Sequence, residues 1–129
     1  MPSERRVPLG LIVISVIMLF TALATDLFWF AKLIGQPFSE TMPVGTSFYN
    51  AFATPDILMS LFLYAGAVGL LKLRKWGLGI SLVGMGMWLF DSLLVLGITG
   101  TSRINIVGPS LFFSLFTAGY LLIKKNIFD

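Results

Sequence analysis

Asp26, Asp56 and Asp91 are the residues of this chain best suited to chemistry, because each interrupts a long apolar run. An ionisable side chain in such a run is costly unless it has a partner, a hydrated pocket or a ligand. Carboxyl groups brought together hold a shared proton or a cation between them. Set beside tryptophan rings, they attract organic cations by charge and by cation–π contact. The chain has neither cysteine nor histidine. That excludes thiol redox chemistry, disulfides and the zinc, copper or iron sites that use those ligands, and no cofactor is expected. It also removes the side chain most used for acid–base work near neutral pH.

The elements that must position these acids are membrane helices. Of 129 residues, 57% are hydrophobic and 12% charged, against about 25% charged in an ordinary soluble domain. Mean hydropathy is +0.92. Four apolar runs stand out: residues 7–30, 53–71, 76–98 and 106–123. Their unbroken apolar character favours helices over the alternating strands of a barrel. Pro55 and Pro109 are expected in the first turns of their helices, where proline is tolerated. The expected fold is therefore all-α: an integral-membrane four-helix bundle forming a single domain over residues 1–129.

Basic residues orient the bundle. Arg5, Arg6, Lys72, Arg74, Lys75, Lys124 and Lys125 fall at one set of span ends, and only Lys32 and Arg103 at the other. By the positive-inside rule both termini are expected in the cytoplasm of a multi-pass cell-membrane protein. Topology explains the basic balance better than nucleic acid does, so no nucleic-acid partner is expected. Trp29, Tyr49 and Trp76 near span ends fit an aromatic belt. Arg5-Arg6, an apolar stretch and Ala22-Leu23-Ala24 also resemble a cleavable signal peptide. The apolar run continues through Leu27-Phe28-Trp29-Phe30, however, and is long enough to span. The outer connection Gly35–Asn50 reads as a loop, either a partial lid carrying Phe38, Met42, Phe48 and Tyr49 or a segment lying on the interface.

The second and fourth spans resemble each other: Pro55-Asp56-Ile57-Leu58-Met59-Ser60-Leu61-Phe62 aligns with Pro109-Ser110-Leu111-Phe112-Phe113-Ser114-Leu115-Phe116. Asp26 and Asp91 are each followed nine residues later by glycine, Gly35 and Gly100. Two pseudo-repeated helical hairpins would pair Asp26 with Asp91 and Asp56 with Ser110. Chance similarity between apolar sequences is the alternative.

Small and polar residues recur at alternating spacings of three and four: Ser15, Ala22, Asp26 and Trp29; Asp56, Ser60 and Ala67; Gly77, Ser81, Gly84, Trp88 and Asp91; Ser110, Ser114 and Thr117. That spacing keeps one face of each helix toward its neighbours, and packing alone explains the small residues. Counted from the inner ends, Asp91, Asp56 and Asp26 stand roughly 22, 24 and 28 Å up, similar depths in a core ~30 Å thick. They are expected to converge on one outward-facing acidic pocket walled by Trp29, Trp88 and Tyr64 and floored by serines including Ser110. Three acids there cannot all stay charged cheaply, so a shared proton or a cation is expected. Each acid also has a simpler reading: Asp56 as a partner of its helix dipole, Asp26 as a solvated headgroup-level residue, and Asp91 as the partner of Arg103.

Three functions compete. The first is binding or transport of a cationic or amphipathic small molecule. The second is a non-enzymatic accessory subunit whose acids pair with basic residues of a larger membrane partner; a transport pathway through only four spans, by contrast, would require a homodimer. The third is an intramembrane enzyme acting on lipid, placed last because only carboxylates are available to shuttle protons. The layout is similar in architecture to the sterol-isomerase and sigma-2 receptor family, with four helices, cytoplasmic termini and acids in a membrane pocket, but no motif matches residue by residue. Small multidrug transporters resemble the chain in size and span number only; their first-span glutamate is absent here.

Overall fold

The computed structural model describes residues 5–35 and 50–129, and these are entirely helical apart from turns and short connections. Pro8, with φ −56° and ψ 144°, caps α1 (Leu9–Leu33), and its carbonyl accepts from the amides of Leu11 and Ile12. The helix runs past Phe30, where the apolar run ends in sequence, and stops before Gly35, whose φ of +83° breaks it. α2 spans Ala53–Leu71, α3 Lys75–Thr99 and α4 Ile104–Ile123. The proposed lid residues Phe38, Met42, Phe48 and Tyr49 lie outside the described residues.

Three helical stretches are long and apolar enough to cross a membrane: Leu9–Leu33, Ala53–Leu71 and the 49-residue run Lys75–Ile123. The last contains α3, α4 and only a 3-10 turn, Gly100–Arg103, between them. The sequence suggested two separate apolar segments with a connector. Helical geometry instead persists almost to contact, and the chain reverses at Gly100, where φ is +60° and ψ −142°. The reversal is complete, since the rings of Trp88 and Phe113 lie 5.0 Å apart across α3 and α4. Because α4 begins at Ile104, Pro109 falls inside the helix rather than in its first turn. Lacking an N–H, it leaves the Asn105 carbonyl without its helical donor. Pro55, third in α2, does occupy a first turn.

Each helix packs on the next in chain order, whereas α1 and α4 have little backbone contact. The polar faces read from the sequence turn inward: Ser15, Ala22 and Trp29 of α1, Ser60 and Ala67 of α2, Gly77, Ser81 and Gly84 of α3, and Ser114 and Thr117 of α4 are all buried. Large apolar side chains point outward, among them Phe20, Leu23 and Phe30 on α1 and Phe112, Leu115 and Phe116 on α4. Soluble monomers do not expose apolar area on this scale.

Glycines set the closest approaches, at the Leu73 end of the bundle. A Cβ on Gly69 or Gly77 would strike the backbone of the opposite helix, so α2 and α3 touch main chain to main chain there. A Cβ on Gly10 would strike the Tyr120 ring, so α1 and α4 meet at this same end. The α2–α3 turn is held by amides of Lys72, Leu73 and Arg74 donating to Val68, Leu70 and Gly69. Leu73 adopts φ +55°, a left-handed conformation unfavourable for a residue with a Cβ. The Asp129 amide donates to the Leu73 carbonyl at 2.8 Å and the Asp129 carbonyl accepts from Lys75 at 2.6 Å. Phe128 is buried beside this clasp, and Arg5 closes it with an exposed ion pair to Asp129 at 2.9 Å.

Candidate functional site

Counted along the helices from the Leu73 end, Asp26, Asp56 and Asp91 stand at about 26, 23 and 24 Å, so the acids do share a level. They do not share one pocket. Asp56 and Asp91 line a cavity of about 460 Å³ bounded by all four helices, while Asp26 lines a neighbouring one of about 830 Å³ between α1 and α2. Helix rotation causes the split. Asp26 lies one turn before Trp29, and that indole forms part of the wall of both cavities.

In the first cavity the Asp91 and Asp56 side chains face one another within hydrogen-bonding reach. Trp29 Nε1 donates to Asp56 Oδ2 at 2.9 Å. Asp56 is therefore not only a helix-dipole partner, although it does stand in the first turn of α2. Trp29 is 8% exposed, too buried to serve as a belt residue, whereas Trp76 at the start of α3 is 49% exposed and suits that role. Trp88 lines the same cavity and packs on Phe113, and Ser110 lies on its α4 wall. No basic side chain belongs to the lining among the described residues.

The lining is mostly apolar both beyond the acids, at Phe28, Trp29, Phe52 and Val95, and toward the Leu73 end, at Phe20, Ala24 and Met59. It descends α1 from Trp29 through Phe28, Thr25, Ala24 and Thr21 to Phe20, nine residues or about 14 Å. Phe20 on α1 and Ile106 on α4 are 72% and 55% exposed, so the cavity reaches the outer surface between the two helices that have little backbone contact. The result is a slot with an acid pair at mid-height and largely apolar walls to either side of it.

Asp26 is organised differently. Ser60 Oγ lies 2.7 Å from Asp26 Oδ1 and 2.7 Å from the Ile57 carbonyl, so two acceptors compete for one hydroxyl proton. The Tyr64 hydroxyl also reaches Asp26. Tyr64 thus neighbours Asp26 and lines neither cavity. Lys32 shares this second cavity and sits 5.6 Å from the Trp29 ring centroid. Arg103, weighed as a partner of Asp91, is not among the residues lining the acid pair's cavity. Sequence reading missed Thr21, Thr25, Phe52, Met59 and Ser92, which also line it. The Thr21–Thr25–Phe28 spacing was a helical-face signal lying one position before the Ala22–Asp26–Trp29 stripe, and it went unread.

No group of three or more acidic side chains suited to a metal ion exists among the described residues. No family model, curated protein or solved structure matches the chain.

Proposed function

We propose that this is a multi-pass membrane protein that crosses the bilayer four times, with both termini in the cytoplasm, and that it binds an amphipathic organic cation from the outer half of the membrane. One observation carries the reading: two carboxyls from different helices face each other in a cavity whose described lining has no basic residue. Such a pair is stable with a proton between its members or with a cation in the proton's place. The slot favours a ligand of matching polarity. An ammonium group fits at Asp56 and Asp91 beside the Trp88 ring, and an apolar body fits along Phe20, Thr21 and Phe28.

Four crossings are supported by the reversal at Gly100, which folds the 49-residue run into two antiparallel helices of 25 and 20 residues. Two pseudo-repeated hairpins are supported by corresponding details. Gly35 and Gly100 both have positive φ. Ser60 and Ser114 each bond the carbonyl three residues back, those of Ile57 and Leu111. A binding or transport component is favoured over an enzyme because the described lining of the acid pair's cavity holds no basic or thiol side chain to work with the carboxyls. An accessory role is supported by one feature, the Asp26–Lys32 cavity on the α1–α2 side, whose mixed charge suits a partner's polar segment.

The test is thermal unfolding of purified protein with a panel of single-tail amines, hydrophilic cations and lipids. At a concentration of 100 times Kd, a ligand of the folded state adds about 2.7 kcal/mol of stability. We expect single-tail amines to raise the unfolding temperature of wild type and to lose that effect in Asp91→Asn and Asp56→Asn. If no compound shifts wild type and both variants are equally stable, the ligand reading fails and the accessory role takes its place.

A further inference from the structure

Away from the acid pair, three hydroxyls present a problem of their own. Ser15, Ser81 and Thr117 are 0% exposed, and none has a hydrogen-bond partner among the described residues. Serine and threonine in an apolar helix ordinarily solve this by bonding a carbonyl of their own preceding turn. Other hydroxyls of this chain do so: Ser60, Ser110, Ser114 and Thr99 bond the carbonyls of Ile57, Ile106, Leu111 and Val95. The three exceptions are one to a helix, on α1, α3 and α4, and each stands six residues in from the helix end nearest Leu73. They therefore share one level, about 9 Å from that end.

All three lie in the interior of the bundle at this level. Ser81 Oγ and the Met18 methyl group both press on Gly66 of α2, at the place where its Cβ would lie. Ser15 stands one turn from Met18 on the same face of α1. On the fourth side, Tyr120, one turn from Thr117, meets Gly10 and closes the bundle just below this level.

We propose that Ser15, Ser81 and Thr117 jointly hold ordered water, a buried hydration site separate from the acid-pair cavity. Hydroxyls supply both donors and acceptors. Water is the smallest partner able to satisfy several at once, and buried water typically bonds two to four polar groups. The site also extends the bundle's polar interior. Ser81 lies ten residues from Asp91 along α3, about 15 Å, and Ser60 and Ser114 occupy intermediate levels. The polar column thus reaches down to the glycine-pinched end, where the helices are too close to admit an organic ligand.

Shape-conserving substitutions test this: Ser15→Ala, Ser81→Ala and Thr117→Val, singly and all together, read by thermal unfolding of the full chain in detergent. A shared water predicts strong coupling. Each single change leaves the water short of a partner and should lower the unfolding temperature by about 3 °C. The triple variant removes both the hydroxyls and the need for water, and should return to within about 1 °C of wild type. Shifts that simply add, in either direction, would overturn the proposal, because dry hydroxyls or hydroxyls turned back onto their own helices behave independently. A second readout needs no variant to fold: cross-relaxation from a long-lived water to the Thr117 methyl in wild type. Its absence would overturn the proposal as well. Neither result depends on whether the acid pair binds a ligand.

Discussion

Trp29 joins three groups that the sequence keeps apart. Its N–H donates to Asp56, its ring face meets Lys32, and its edge packs against Phe28 with ring centroids 5.2 Å apart. A hydrogen bond to a charged or proton-sharing acceptor is worth about 1.5–3 kcal/mol, more than a neutral one, and leaving the acceptor unpaired adds to the loss. Trp29→Phe keeps most of the packing and removes the donor. It should lower unfolding free energy in detergent by about 2 kcal/mol. A loss below about 0.5 kcal/mol in a denaturant titration would mean the indole bond is not made. Apolar runs and acid spacing are legible in one dimension, which is why the common level of the three aspartates was visible in sequence. Which way each acid turns depends on helix rotation to within a fraction of a residue step of 100°. Trp29 therefore stands between the two cavities, with Asp26 in one and Asp56 in the other.

Helix ends and crossings show where sequence reading reaches its limit. The bounds of α2 match its apolar run, residues 53–71, because Pro55 and the basic turn punctuate it on both sides. α4 starts two residues earlier than its run suggested, since a 3-10 turn at a positive-φ glycine needs so few residues to reverse the chain. That early start is what moved Pro109 into the helix interior. The glycine content reads as helix packing in sequence, but only the structure distinguishes the glycines that touch from those that do not. Gly77 has the backbone of α2 where its Cβ would be, while Gly79, two residues on, has nothing within 4 Å. Gly77→Ala must push α2 and α3 apart and should cost about 3 kcal/mol or prevent folding. Gly79→Ala meets open space and should stabilise the helix by up to about 1 kcal/mol. Equal effects of the two in unfolding experiments would refute main-chain contact between α2 and α3.

The molecule as a whole is a row of helices fastened tightly at the Leu73 end and parted at the other between α1 and α4. Its direction in the membrane is open to a simple experiment because the chain has no cysteine. Ser102→Cys, in the exposed 3-10 turn, and Asn126→Cys, beyond α4, each introduce a single exposed thiol. In intact cells a membrane-impermeant maleimide should label the first from outside and leave the second unlabelled until the membrane is opened. Labelling of both from the same side would refute four crossings, and the opposite pattern would invert the orientation.

The clasp at the Leu73 end bears on how the protein is made. Leu73 holds its left-handed backbone with help from Asp129, and Asp129 is synthesised 56 residues later. At 5–20 residues per second that delay is about 3–11 s, far longer than a helix takes to form. During the wait the α2–α3 turn is held only by its own bonds to Val68, Gly69 and Leu70. Asp129, meeting Leu73, Lys75 and Arg5 together, then secures a pairing that has already had time to settle.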